Sequence, residues 1–150
     1  MQDLHQAIAA LREVTGLPDL ELGPDQHAEV VFGETPVGFV GIGADHVEMV
    51  TPLAALPPEL DQTRLARLMT ANYLGAATGP ARLALDPGRR QIVLCERLDL
   101  RGLDADGLHA RIVDFLGSAA FWNGPEGHEA LDGAPLAAEL PATEQYLIRG

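Results

Sequence analysis

The apolar residues of this chain recur with a helical period in three segments. The first segment is followed by Gly16 and Pro18, which typically stop a helix. The second follows Asp61, a residue type that caps helix N-termini, and the third ends at Phe121-Trp122. The apolar positions are Leu4, Ala7, Ile8, Leu11 and Val14 in the first, Leu65, Leu68, Met69 and Tyr73 in the second, and Leu108, Ile112, Phe115, Leu116 and Ala119 in the third. Each set shares one helical face, so the sequence predicts three amphipathic helices.

Five shorter segments have the period and composition of β-strands. Three of them, residues 27–32, 37–42 and 46–51, lie between the first two helices, and each is closed by Gly, Pro or Asp turn residues. Two more, residues 81–85 and 92–95, follow the second helix and are joined by turn chemistry at residues 86–89. Short connections favour antiparallel pairing. The predicted fold is therefore α+β, an α-β-β-β-α-β-β-α sandwich in which helices cover one antiparallel sheet.

The same pattern predicts one domain and a tail. Residues 1–122 contain all the predicted elements. Residues 123–150 are rich in Gly and Pro, which predicts an irregular tail or one that docks on the body through its apolar residues. Those residues are Leu136, Leu140, Tyr146, Leu147 and Ile148.

Composition sets the class of protein. The chain has 150 residues, of which 47% are hydrophobic, enough for one domain with a real core. No apolar run approaches the roughly 20 residues that cross a bilayer, and the first residues lack the pattern of a signal peptide. We therefore expect a cytoplasmic protein without membrane insertion. The single cysteine, Cys95, lies in an apolar strand segment, so no internal disulfide is possible.

Charge narrows the choice of partner. Acidic residues exceed basic ones by 22 to 10, a net charge of −12, which disfavours nucleic acid and anionic membranes. All ten bases are arginines, and none lies between Arg12 and Arg64. The acidic interval between them is explained either by solubility alone or by a surface that prefers neutral or basic partner segments.

The sequence contains no recognisable catalytic, cofactor-binding or metal-binding motif. Ser118, the single serine, lies in a helical segment without the strand-turn-helix elbow that exposes a nucleophile. His128-Glu129 begins like a zinc-binding helix, but Asp132 stands where the second histidine is needed. The glycines of residues 38–43 have neither dinucleotide-loop nor P-loop spacing. We therefore expect a protein that is not an enzyme and has no cofactor.

The second half of the chain resembles class I type III secretion chaperones of the Tir-chaperone-like family. The resemblance lies in residues 68–75, in Thr78-Gly79, in residues 83–88 and 94–98, and in a last helix ending in Phe121-Trp122. It extends more loosely from Leu4 to Trp122. Pro80 departs from it, because such chaperones often have a second glycine there, and the tail after Trp122 is longer than expected.

This resemblance implies a homodimer that binds the extended N-terminal segment of a secreted effector and keeps it competent for secretion without ATP. It places the dimer interface on the second helix and the hairpin, and the effector on the first helix and the first sheet strands. The interface candidates are Leu65, Leu68, Met69, Tyr73, Leu83 and Val93. The partner-binding candidates are Leu4, Ile8, Leu11, Val31, Phe39, Val40 and Val50.

Other interpretations remain open at this point. The apolar residues of both sets also fit the core of a monomer. An adaptor or regulatory domain with the same fold, acting on a folded cytosolic partner, would show the same pattern of elements. A small enzyme or ligand-binding domain would use the scattered carboxylates.

Overall fold

The computed structural model describes residues 3–56, 58–59 and 61–132. Four helices and five strands follow one another along this part of the chain, and the predicted order of elements is confirmed up to the third helix. The helices are α1 (Leu4–Thr15), α2 (Gln62–Asn72), α3 (Ala105–Asn123) and α4 (Pro125–Asp132). The strands are β1 (His27–Phe32), β2 (Thr35–Ile42), β3 (His46–Ala55), β4 (Arg82–Asp86) and β5 (Gln91–Asp99).

The helix ends follow the capping chemistry of the sequence. Asp61 accepts a hydrogen bond from the Arg64 N–H, as predicted for an N-cap, and Asp104 does the same for Gly107. Gly16 ends α1 with a φ of 67°, a left-handed conformation that glycine adopts without strain.

The five strands form one antiparallel sheet in the order β1-β2-β3-β5-β4. The meander of the first three strands and the hairpin of the last two join where β3 pairs with β5. β3 continues to Ala55, beyond the predicted strand of residues 46–51, and extends this central pairing across a bulge between Pro52 and Ala54. The predicted α+β architecture is confirmed.

One face of the sheet carries the core. α1 and α3 pack against each other and contribute the residues that cover this face, and the largest fully buried side chains include Trp122, Phe39 and Phe115. Gly41 lies on this face of β2, where an added Cβ would come within 2.5 Å of Leu4 Cδ2. Leu4 of α1 therefore leaves little room for a side chain at Gly41.

The first part of the segment after Trp122 is helical and packs on the body. Residues 125–132, placed by the sequence in an irregular or docked tail, form α4, and Leu131 is buried in the core. Pro125 occupies the first position of this helix, where a missing N–H costs nothing. Gly127 allows α4 to approach α3, since an added Cβ would lie 2.5 Å from Phe121 O. Residues 133–150, which carry the apolar tail residues, lie outside the described part of the chain.

Candidate protein-binding surfaces

α2 presents an apolar surface to solvent. Leu65, Met69 and Tyr73 are 44%, 66% and 57% exposed, and Leu74 in the turn that follows is also exposed. These four residues are called the α2 stripe below. Leu68 is the single fully buried residue of α2, so the helix puts more apolar area outside than inside. A helix with this distribution has a face that suits a second polypeptide.

The six predicted interface residues therefore separate into two groups. Leu65, Met69 and Tyr73 are accessible, whereas Leu68 and Leu83 are buried in the core. Leu68 differs from the other residues of the predicted apolar face of α2, because the helix turns this side chain toward the core. Val93 is buried as well, but it lies on the sheet face opposite the core.

The outer face of the sheet, on which Val93 lies, also carries a charged cluster. Glu48 of β3 is buried, and its carboxylate accepts hydrogen bonds from Arg82 and from Arg97, whose Nε lies 3.0 Å from Glu48 Oε2. Cys95 of β5 lies opposite Val50 of β3 on one side and opposite Arg82 of β4 on the other. Burial raises the pKa of the Cys95 thiol, which keeps it protonated and unreactive.

One edge of the sheet is closed by a side chain of α2. Asn72 Nδ2 donates to the Leu83 carbonyl at 2.9 Å, and Asn72 Oδ1 accepts from the Leu83 N–H at 2.8 Å. The amide thus replaces a neighbouring strand at this position of β4. A further strand cannot pair with Leu83 while Asn72 holds it.

The opposite edge, β1, borders an apolar groove of about 330 Å³. The groove lies between the end of α1, β1 and the middle of α3, and three of its residues, Leu17, Val31 and Val113, are about half exposed. It is called the β1 groove below. Its lining residues are Val14, Thr15, Leu17, Val30, Val31, Phe32, His109, Ile112, Val113 and Leu116.

The structure brings few of the predicted partner-binding residues to the surface. Leu4, Ile8, Leu11 and Phe39 are buried in the core of the described chain, which leaves their side chains little area for contact with a partner. They satisfy the period of the helix and strand that cover the core. Val31 is 59% exposed in the β1 groove, and Val40 and Val50 lie half-buried on the outer face of the sheet.

The sequence interpretation missed Leu17 and Val113. Both could have been found by asking which apolar residues fall outside the period of the core face. Leu17 lies past the end of α1, between Gly16 and Pro18, and Val113 follows Ile112 on the neighbouring side of α3. Apolar residues at such positions have no core to fill.

Within residues 3–56, 58–59 and 61–132, no three His, Cys, Asp or Glu side chains are grouped so that they could hold a metal ion. In the same part of the chain, no helix is both long and apolar enough to span a bilayer.

Comparison with known proteins identifies the family. A sequence profile described as the Tir chaperone protein (CesT) family matches residues 6–123, most of the chain. The chain belongs to the Tir chaperone protein (CesT) family. The predicted resemblance to type III secretion chaperones is thus confirmed for this CesT-family protein, and its family is a chaperone family and not a class of enzymes. No protein with curated annotation matches it significantly in sequence.

Solved structures agree with this assignment at the level of the fold. The CesT-family chain is similar to a chain of the ExsC–ExsE complex, with a TM-score of 0.67 at 18% identity over 82% of this chain and 95% of that one. It is similar to the Yersinia pestis type III secretion chaperone SycH, solved with a stable fragment of YscM2 (TM-score 0.60, 17% identity, 78% and 97% covered). The HopA1–SchA chaperone–effector complex is a further match (TM-score 0.61, 10% identity, 80% and 93% covered).

Proposed function

We propose that this protein is a cytoplasmic type III secretion chaperone that binds, as a homodimer, the extended N-terminal segment of a secreted effector. It would keep that segment competent for secretion without ATP. The observation that carries the proposal is the family match over residues 6–123, on a fold shared with chaperones whose structures were solved in complexes with their partners.

Two separate apolar surfaces on one small chain support the two binding roles. The α2 stripe is a helical face, and a second copy of the same face would cover it in a two-fold arrangement. The β1 groove lies at an open sheet edge, which suits an extended chain that adds main-chain hydrogen bonds and inserts apolar side chains. A chaperone that must hold a segment without folding it needs this kind of site, because ordering the segment costs entropy that apolar contacts must offset.

Nothing in the described residues calls for a nucleotide. The sequence has no P-loop spacing, and affinity from apolar burial needs no energy source. Release of the client would then be carried out by the secretion apparatus and not by a cycle of the chaperone itself.

Co-expression with the products of neighbouring genes, followed by affinity capture in buffer free of ATP, tests the proposal. We expect one partner to co-purify, to be lost when its N-terminal segment is deleted, and to stay bound when ATP and magnesium are added. Capture of a folded partner that needs no N-terminal segment would contradict the proposal and favour an adaptor. Light scattering of the purified protein tests the homodimer independently.

A further inference from the structure

The β1 groove has an open main-chain edge as well as apolar walls. The carbonyl of His27 faces away from β2, because it accepts a hydrogen bond from the Gly23 N–H at 2.8 Å. Strand geometry repeats every two residues, so the N–H and C=O groups of Glu29 and Val31 face the same way. Within the described part of the chain these groups have no hydrogen-bond partner.

A strand that pairs with this edge has two chemically different sides. On the core side of the sheet it would meet the apolar walls formed by Leu17, Val113 and Leu116. On the outer side it would lie beside Glu29, which shares that face of β1 with Val31 and is exposed. The core side of an added strand would therefore face hydrocarbon, and its outer side would face the Glu29 carboxylate together with Val31.

The surroundings of the groove are acidic over a wider range. Residues 1–61 carry eleven acidic side chains against Arg12 alone, a net of −10, whereas residues 62–150 carry eleven acids and nine arginines, a net of −2. Exposed carboxylates adjoin the groove on two of its elements: Glu34 in the turn after Phe32, and Asp106 one turn before His109 in α3.

The arginines on the lining helices do not neutralise this field at the groove. Arg12 Nε donates to the Leu20 carbonyl at 2.7 Å, and Arg12 lies in a different depression with Ala9 and Pro18. Arg111 pairs with the buried Glu96 of β5. The residues that line the groove include His109 but no lysine or arginine.

We propose that the β1 groove selects an extended client segment in which apolar residues alternate with lysine or arginine, the apolar side facing the helices and the basic side facing Glu29. The inference rests on the proposed function and names the chemistry of the client segment. Opposite charge at a partly exposed rim adds modest affinity but strong discrimination against like charge.

Three labelled eight-residue peptides test this with the full-length protein by fluorescence anisotropy. One alternates Val with Lys, one alternates Val with Glu, and one has the Val and Lys residues in two blocks. We expect the alternating Lys peptide to bind about tenfold more tightly than either of the others at about 0.02 M ionic strength. The advantage over the Glu peptide should fall to about twofold at 1 M salt, where the Debye length is about 3 Å.

Two variants assign the effect to the edge of β1. Val31→Pro removes the outward N–H, which has no partner within the described residues, so the fold should persist while binding of the alternating Lys peptide is lost. Glu29→Arg should invert the preference between the Lys and Glu peptides. Glu126→Arg makes the same charge change on α4 and should leave the preference unchanged.

Equal binding of the three peptides, binding of none, or an unchanged preference in Glu29→Arg would overturn the inference. Capture of the co-expressed client in parallel separates this result from a failure of the proposed function. A protein that retains its client but does not discriminate among the peptides refutes the selection rule alone, and one that captures no client refutes the chaperone role as well.

Discussion

At the scale of single residues, a buried ion pair joins the sheet to α3. The Glu96 side chain is 2% exposed on the core side of β5 and pairs with Arg111, whose side chain is 34% exposed. Burial raises the pKa of Glu96, and the nearby positive charge of Arg111 only partly offsets that effect. The carboxylate is therefore held in the core by one partner that also reaches water.

Arg111→Ala should lower the free energy of unfolding by about 3 kcal/mol at pH 7, because it leaves a buried carboxylate unpaired. Glu96→Gln should cost about 1 kcal/mol, since the amide oxygen still accepts from Arg111. A raised folded-state pKa means that the folded protein binds this proton more tightly than the unfolded one, so the penalty of the charged form is present above the folded pKa and is relieved as pH falls toward the unfolded value of 4.5.

The deficit of Arg111→Ala should accordingly shrink as urea unfolding is repeated at pH 7, 6 and 5. The same comparison in a Glu96→Gln background is the control, because without the titrating carboxylate the deficit caused by Arg111→Ala should change little over the same range. A deficit of Arg111→Ala that stays constant with pH would show that packing, and not the charge of Glu96, accounts for the loss.

Asn72 is a second residue whose role depends on a few atoms. Asn72→Ala removes both hydrogen bonds to the Leu83 main chain and should cost about 1–3 kcal/mol, with faster amide exchange at Leu83. Thr70→Ala is the matched control in the same helix, since the Thr70 hydroxyl donates only to the Ala66 carbonyl of α2. This variant should change the free energy of unfolding by less than about 0.5 kcal/mol. Unaltered exchange at Leu83 would contradict the closing role of Asn72.

These two roles were beyond sequence reasoning for a physical reason. Asn72 and Leu83 lie 11 residues apart and meet only because α2 packs on β4. Glu96 lies between Cys95 and Arg97 in β5, and nothing in that strand indicates its partner. The partner, Arg111, is determined by the placement of α3 on the sheet. The periodicity of apolar residues predicts which face of a helix or strand a residue occupies, but it does not predict which atom of another element that residue contacts.

At the scale of elements, α4 shows how loop signals can mislead. Gly124, Pro125 and Gly127 are typical of a turn, yet Pro125 starts a helix and Gly127 is selected by contact with α3. The two helices are consequently held together at backbone distance. Local chemistry alone could not distinguish a glycine needed for flexibility from one needed for space.

Gly127→Ala should therefore destabilise the protein by about 1–3 kcal/mol, because the new Cβ meets the backbone atoms Phe121 O and Trp122 Cα at 2.5 Å. Gly117→Ala is the matched control in the exposed middle of α3, where nothing lies within 4 Å of the new Cβ. It should stabilise by about 0.5–1 kcal/mol through helix propensity. Thermal unfolding that moves in the same direction for both variants would contradict the assigned contact.

At the scale of the whole molecule, the order of elements was predictable because each is short, periodic and bounded by turn residues. The joining of the two halves through β3 and β5 was not, since the pattern of either strand is compatible with several neighbours. The same limit applies to the two surfaces. The sequence gives an apolar stripe on α2, but only packing shows that Leu68 turns inward and that Leu65, Met69 and Tyr73 stay outside.

The most acidic part of the chain and the exposed apolar face of α2 belong to different elements of the fold. The strongly acidic residues 1–61 form α1 and the first three strands, whereas α2 carries Arg64 and Arg67 and no acid. Arg64 pairs with Asp132, and Arg67 donates to the Leu131 carbonyl at 3.2 Å, so both are engaged with α4. Two copies that meet through the α2 stripe would thus avoid opposing their most acidic regions, which favours this face for the proposed homodimer.

Met69→Glu provides the test of that interface. A two-fold contact repeats the substitution on both sides of the interface, so the variant would bury two charges at once. We expect it to sediment and scatter as a 15.9 kDa monomer at concentrations where the wild-type protein has twice that mass. The midpoint temperature of thermal unfolding should change little when variant and wild type are compared at concentrations where both are monomeric, since Met69 is 66% exposed.

Two comparisons make the outcome specific to the α2 stripe. Val113→Glu adds the same charge at a residue 53% exposed in the β1 groove, and we expect it to remain dimeric. Leu68→Ala should cost about 2–5 kcal/mol of stability, because it empties a core position. A Met69→Glu protein that is as dimeric as the wild type would show that the α2 stripe is not the dimer interface. Loss of the dimer in Val113→Glu would show instead that the interface lies at the β1 groove, which would then not be free to bind the client.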